Sequence, residues 1–428
     1  MMKFTNTSEA VAENLDARDE LRPFRDEFVI TDPNTIYLDG NSLGRLPRKT
    51  VEVLKEAVEQ QWGQRLIRSW NEGWIDASVR IGAKIAHIIG ARLDEVIVAD
   101  ATSVNLFKLV IAALRDKPDR KKIVSDELNF PSDLHILQGV TDLMGKRHEL
   151  KLVPSIDGIE IDPDAIDNAT DGNTALITLT HTCFKSGFVH DMSRINKMAH
   201  KKGAYVLWDL SHSVGAVPVD LNGKDTDLAV GCTYKYLNGG PGSPAFLYVR
   251  KDLQKKLMQP IWGWLGSEEP FAFNLDYEPA SSIIHFQVGS PPILSMLAIE
   301  PGLDIILRAG IEKLRKKSIT QCEYLLFLFD QWLAPLGFTL GSPRNPEKRG
   351  SHVSIRHPEA YRINHALIEA KPPDVKVIPD FRTPDNIRLG IAPAYTSYED
   401  IHRAMLRIKK IVEGKIFEQY SDEKDKVT

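Results

Sequence analysis

Between about residue 95 and residue 250 the sequence repeats one texture: short, almost unbroken apolar runs separated by stretches with helical spacing. The runs are Val96-Ile97-Val98, Lys122-Ile123-Val124, Leu176-Ile177-Thr178-Leu179, Tyr205-Val206-Leu207-Trp208, Leu228-Ala229-Val230 and Ala245-Phe246-Leu247-Tyr248-Val249. A strand that is apolar on both sides has to be covered on both sides, and helices between successive strands supply that cover. The pattern therefore predicts an α/β protein whose large domain, roughly residues 65–300, holds a mainly parallel sheet sandwiched by helices. After Pro291-Pro292 the spacing predicts a long helix over 294–334, interrupted at Ala309-Gly310. An α+β region follows, with strands in Ser351–Ile355 and Asn386–Gly390. Residues 1–64 and 301–428 are expected to form a smaller α+β domain. Its N-terminal segment begins with a helix for which Ser8 is a candidate cap. The short run Thr35-Ile36-Tyr37-Leu38 leads into the turn-rich Asp39-Gly40-Asn41-Ser42-Leu43-Gly44, and helical spacing resumes over 48–62. The charged tail, 421–428, is expected to fray.

Composition narrows the function classes. A chain of 428 residues has room for two domains and a sizeable core. A formal charge of -4 and a pI near 6.3 give no reason to expect nucleic acid or an anionic membrane as partner. No apolar stretch approaches the ~20 residues that span a bilayer. Charges at Glu9, Glu13, Asp16 and Arg18 leave no apolar core for a signal peptide. The three cysteines, Cys183, Cys232 and Cys322, are too scattered for a disulfide framework or a zinc site. His285, His352 and His357 form no ligand-spaced pair, so no metal is expected. A cytoplasmic protein is the natural expectation.

The chemistry concentrates at strand ends, where open α/β sheets bind ligands. Lys235 follows the run Leu228–Cys232 and precedes Gly239-Gly240-Pro241-Gly242. A lysine in such a place is either paired or reactive, and a neutral amine forms an imine with an aldehyde. Asp209 ends the run Tyr205–Trp208, 26 residues earlier (235 − 209), a distance that allows one crossover. A buried carboxylate needs a cation; a protonated pyridine nitrogen would serve, and so would a structural His or Arg. Pyridoxal 5'-phosphate needs both groups, lysine for its aldehyde and carboxylate for its ring nitrogen. Lys235 precedes its glycines, which excludes a P-loop, and Pro241 and Pro244 forbid the helix of a dinucleotide fingerprint. Neither GxSxG nor HExxH occurs. Thr102 and Ser103 open a helix after the first run, as phosphate ligands or as ordinary caps. In Phe130-Pro131-Ser132-Asp133, Phe130 either stacks on a planar ring or joins the core. Thr180-His181-Thr182 carries no signal alone. Arg388, in Asn386-Ile387-Arg388-Leu389, presents a guanidinium fork to a carboxylate, of the substrate or of the protein.

Taken together, these residues resemble the kynureninase family, pyridoxal-phosphate enzymes of the aspartate-aminotransferase fold. The resemblance runs from about Asp39 to Tyr398. It rests on the Asp39–Gly44 segment, Thr102-Ser103-Val104-Asn105-Leu106, Phe130-Pro131-Ser132-Asp133 and Trp208-Asp209-Leu210-Ser211-His212-Ser213-Val214-Gly215. Tyr234-Lys235-Tyr236-Leu237-Asn238, Gly263-Trp264, Ser290-Pro291-Pro292-Ile293-Leu294, Ile387-Arg388 and Ala392-Pro393 complete it. The resemblance implies hydrolysis of L-kynurenine, with its 3-hydroxy form as a further candidate, to anthranilate and L-alanine. It implies Lys235 as the imine-forming base, Asp209 as partner of the ring nitrogen, and Tyr234 as an aid to proton transfer and a phosphate ligand. Thr102 and Ser103 match phosphate ligands, Phe130 the ring-stacking residue, with Pro131, Ser132, Asp133, Thr180 and His212 around the cofactor. Trp264 and Ser290 match residues that reach the phosphate of a neighbouring subunit, implying a homodimer. Arg388 matches the binder of the substrate's α-carboxylate, and Ser42 and Trp70 fall where the family meets substrate. Ser103 and Ser290 stand where threonine, or asparagine and threonine, also occur, and each keeps a polar group. Trp70 stands where animal members carry histidine, which favours the unsubstituted substrate. The rivals on the same scaffold are a cysteine desulfurase, which needs a mobile nucleophilic cysteine, and an aminotransferase, which needs a second, acidic substrate.

Overall fold

The computed structural model describes residues 4–423. Seven strands form the main sheet. In order across it they are Val96–Val98, Phe246–Val249, Leu228–Gly231, Tyr205–Asp209, Thr174–Thr180, Lys122–Asp126 and Glu149–Val153. Phe246–Val249 runs antiparallel to both neighbours, and every other pairing is parallel. Side chains alternate between the two faces with the period of two that a pleat imposes. Val96, Val98, Val206 and Trp208 join one apolar cluster, with Ile81 and Ile85 of helix Ala77–Ile89 and Ile195 of helix Met192–Lys201. Ile97, Tyr205 and Leu207 join the opposite cluster, with Leu109 and Val110 of helix Thr102–Asp116 and Leu137 of helix Pro131–Leu143. Strand order reverses between Lys122–Asp126 and Thr174–Thr180, so a crevice opens beyond the carboxyl ends at that point.

A third cluster gathers Ala12, Ile36 and Leu38 with residues from Cys322 to Ile411. It fills the space between helices Ile311–Leu328, Ala360–Ile368 and Tyr398–Glu413 and a four-stranded antiparallel sheet. That sheet runs Asp380–Arg382, Asn386–Gly390, His352–Arg356, Thr339–Leu340. The N-terminal helix spans Glu9–Ala17, with the Ser8 side chain accepting from the Ala10 N–H. Helix Glu300–Ala309 ends where Gly310 takes a φ of +80°, as the sequence suggests, and the expected long helix is also broken between Leu297 and Glu300. Helix Arg48–Glu56 passes into wider π-type turns over Ala57–Arg65. Leu303 and Ile306 pack in the cluster of the large sheet, so the core of that unit continues past residue 300. Of the tail expected to fray, 424–428 lie outside the described residues. Among the described residues no helix is long and apolar enough to cross a membrane.

The turn-rich segment after Thr35–Tyr37 ties the two units together. Gly390 donates to the Leu38 carbonyl at 2.6 Å, and Gly44 donates to the Tyr234 carbonyl at 2.7 Å. A Cβ on Gly44 would stand 2.3 Å from the Lys235 carbonyl oxygen, a contact no side chain tolerates. The glycine thus permits the loop that carries Ser42 to lie against the loop that carries Lys235.

Candidate active site

Four strand ends deliver side chains into one cleft of about 420 Å3. Its walls include Thr102 and Ser103, then Phe130, Ser132 and Asp133, then Asp209 and Ser211, then Tyr234 and Lys235. Ser243 and Pro244, beyond the glycines, and Pro292 close it. Asp209 is buried, and its Oδ1 accepts from the Ser211 amide at 2.8 Å and the Ser211 hydroxyl at 2.6 Å. Neither bond uses Oδ2. Lys235 Nζ lies 3.5 Å and 3.4 Å from the two ring nitrogens of His212, and 5.8 Å from the centres of the Phe130 and Tyr234 rings.

The electrostatics show what the cleft lacks. Burial raises the Asp209 carboxyl, opposed by the Lys235 charge and the two Ser211 hydrogen bonds. Asp133 is raised well above the usual carboxylate range by burial and then by Asp209. Burial, reinforced by Lys235 and Arg388, drives His212 well below the ordinary imidazole range, so its ring is neutral. The Cys232 thiol, and then burial, push the Tyr234 phenol up, which keeps its proton on oxygen. Two buried carboxylates therefore face one amine, an arrangement that a ligand with a protonated ring nitrogen completes.

The far end suits an anion. Helix Thr102–Asp116 begins at Ala101 with no side-chain cap, leaving its first N–H groups directed outward. Ser103 Oγ lies 3.0 Å from Ser132 Oγ, so two hydroxyls stand beside that terminus. Behind it, buried Lys108 donates to Asp100 at 2.6 Å and to the Phe286 carbonyl at 2.6 Å.

A second polar cluster lies on the side of the smaller sheet. Arg388 is 1% exposed and donates to the Phe184 carbonyl at 2.5 Å, to Ser42 Oγ at 2.9 Å and to Asp380 Oδ2. Its Nε is buried without a hydrogen-bond partner. A protein carboxylate thus takes part of the fork, and a donor is left over. His352, 5.9 Å from His212 between ring centres, has both nitrogens buried without a hydrogen bond.

Other residues singled out in the sequence stand apart from the cleft walls. Thr180 Oγ1 donates to Asn129 at 2.5 Å and is buried behind the cleft, paired in register with Asp209. Pro131 starts its helix at the first turn. Trp70 is half-buried and meets Trp74 edge-on at 5.9 Å. Trp264 packs edge-on against Phe271 at 5.7 Å, and Ser290 is exposed. Sequence reasoning did not single out Asp380 or Arg382, whose part becomes visible only once Ser42 and Arg388 are brought together.

Comparison with known proteins gives the family and the fold. A model described as the kynureninase C-terminal domain matches residues 314–408, and one for the DegT/DnrJ/EryC1/StrS aminotransferase family matches 154–226. A kynureninase of Pseudomonas fluorescens is 42% identical over 410 residues, 95% of each chain. One from Burkholderia mallei (strain SAVP1) is 41% identical over 404 residues, 93% of this chain and 94% of the relative. Among solved structures, an apo cysteine desulfurase from Thermococcus onnurineus NA1 superposes with a TM-score of 0.74 at 20% identity, over 96% of this chain and 100% of that one. A cysteine desulfurase from Escherichia coli gives 0.76 at 16% identity, over 92% and 98%. At such identities the likeness concerns the fold.

Proposed function

The chain belongs to the kynureninase family, and from that premise we propose how its own side chains divide the work. It is a pyridoxal-phosphate enzyme that hydrolyses L-kynurenine to anthranilate and L-alanine. The observation that carries the assignment of roles is the meeting of Lys235 and Asp209 on the walls of one cleft, opposite an uncapped helix start. The donor set fits the cofactor: Asp209 Oδ2 for the ring nitrogen, Phe130 for the ring face, Thr102, Ser103 and Ser132 with the helix N–H groups for the phosphate. When bound, the cofactor supplies an electron sink for charge formed at the substrate's Cα.

Lys235 is the residue that would hold the cofactor's aldehyde, and its free amine would serve as the base for the substrate's Cα proton. Asp209, whose rise on burial is opposed by Lys235 and Ser211, would pair with the protonated ring nitrogen. Arg388 binds the α-carboxylate, using the Nε donor that no protein group occupies. Ser42, bonded to Arg388 at 2.9 Å, stands at that same end, so the aromatic ring lies away from it, towards Trp70, and the bond to be cleaved is oriented by the two anchors. Tyr234, neutral and adjacent to Lys235, carries a proton at the γ-carbonyl. Trp70 offers an indole face, with a single N–H donor and no acceptor, in place of an imidazole, which favours kynurenine over its 3-hydroxy form.

A homodimer with shared sites is part of the same reading. Trp262, Trp264, Phe271, Phe273 and Leu275 are exposed within one short segment, followed by exposed Ser290. Clustered apolar surface of this kind is what a second subunit covers. A cytoplasmic location accords with three buried, unbridged cysteines. The desulfurase alternative is disfavoured by those cysteines, since burial pushes all three thiols up. Incubating the holoenzyme with L-kynurenine should release fluorescent anthranilate and alanine in equal amounts. Lys235→Ala should lose both this turnover and the cofactor's imine absorbance, and a fully active variant would refute the assignment.

A further inference from the structure

Around Arg388 the charges balance before any substrate arrives. Asp380 Oδ2 receives Arg388, Arg382 at 2.8 Å and the Ser42 hydroxyl at 2.8 Å. Asp39 stands beside this group, its loop bridged to Gly390 of the strand that carries Arg388. Two guanidinium groups thus face two carboxylates. Asp39 Oδ1 and Asp380 Oδ1 are both buried without a hydrogen-bond partner. A third carboxylate, the substrate's, would leave a net negative charge where little water reaches, a costly state that a single proton relieves.

Resting on the reading of Arg388 as the carboxylate binder, we propose that this end of the site is proton-linked: Asp39 takes up a proton when the substrate's α-carboxylate docks on Arg388. Asp39 is the acceptor because Asp380 already holds two guanidinium groups and a hydroxyl. Burial, and then the Asp380 charge, push the Asp39 carboxyl up to about 7, with Ser42, Arg388 and Arg382 opposing. The other groups that face it are phenols, Tyr37, Tyr395 and Tyr236, each raised by burial and uncharged near neutrality. Arg45 lies over the rings of Tyr37 and Tyr395.

The sign follows from linkage. A ligand that favours protonated Asp39 binds with full affinity below about pH 7 and progressively more weakly above it. The probe is 4-oxo-4-phenylbutanoate, a substrate-shaped carboxylate without an amine, used as a competitive inhibitor of the holoenzyme. Its inhibition constant should rise roughly tenfold over about two pH units above neutrality. Calorimetry of the same binding near neutral pH, in two buffers of different ionisation heat, should register proton uptake by the wild-type enzyme. Asp39→Asn should flatten the pH dependence and abolish the uptake. A flat wild-type profile with no uptake overturns the proposal, as does uptake that persists in Asp39→Asn. Should that variant fail to fold, the wild-type calorimetry decides. Failure of the underlying reading is separate: it is an Arg388→Lys enzyme that binds the inhibitor as tightly as wild type at every pH.

Discussion

Asp209 illustrates how much a working carboxylate depends on its immediate neighbours. Burial pushes its carboxyl up, and the Lys235 charge, then the Ser211 hydroxyl at 2.6 Å and amide at 2.8 Å, oppose that rise. In the proposed role only the charged form would hold a protonated ring nitrogen, so activity should be present above the pKa of Asp209 and lost as pH falls through it. Ser211→Ala removes one hydrogen bond to a charged group, worth about 1.5–3 kcal/mol. The acid limb of the kcat profile should therefore move up by about one pH unit or more, with the alkaline limb unmoved. An unshifted acid limb would show that Ser211 only fills space. Lys235 and Asp209 were legible in the sequence because each terminates an apolar run, and strand ends in this fold class converge. The Asp39, Asp380 and Arg388 grouping was not. Ser42 and Asp380 are 338 positions apart, and no local pattern announces which of many charged residues will meet across such a span.

At the scale of elements, the six apolar runs became strands because nothing competes with burial in them. The seventh, Glu149–Val153, escaped notice because Glu149 and Lys151 interrupt its pattern. Those charges suit its position at the sheet edge, where they discourage pairing with another chain. The expected helix over 294–334 is interrupted at Gly310, as its spacing suggests, while the further break between Leu297 and Glu300 was not foreseen, since helical spacing survives short breaks. Helix Thr102–Asp116 also hides a feature that spacing cannot reveal. Lys108 is fully buried in it and binds Asp100, at the mouth of the cleft, to the Phe286 carbonyl. Lys108→Ala should cost roughly 3 kcal/mol of stability, because it strands a carboxylate and a carbonyl that now share one cation. Cofactor should also dissociate faster, since the turn that leads into the phosphate end would lose its brace. Denaturant unfolding gives the first quantity and dilution-driven loss of absorbance the second. A change within about 0.5 kcal/mol, the scatter of ordinary surface substitutions, would remove Lys108 from this role.

For the whole molecule, the question is whether one chain completes a site. On the proposed assignment the cleft would hold groups for the ring, the aldehyde and part of the phosphate, while Trp264 and Ser290 stand outside its walls on exposed segments. If these residues serve a neighbour, defects in Lys235 and Trp264 belong to different sites of a dimer. A Lys235→Ala subunit would be inactive in its own site yet lend an intact Trp264 to its partner. A Trp264→Ala subunit would keep its lysine and lack only what the partner supplies. Mixing the two, with exchange of subunits, creates heterodimers in which one site has every part and the other lacks both. Random exchange at equal amounts should then restore about one quarter of wild-type sites, since half the dimers are mixed and each has one whole site. Were Trp264 to act within its own chain, every site in the mixture would still carry a defect, and the activity would not exceed the sum of the two parents. Co-expression of the two variants with different affinity tags, purification of the doubly tagged species, in which one half of the sites should be whole, and an anthranilate assay separate the two outcomes.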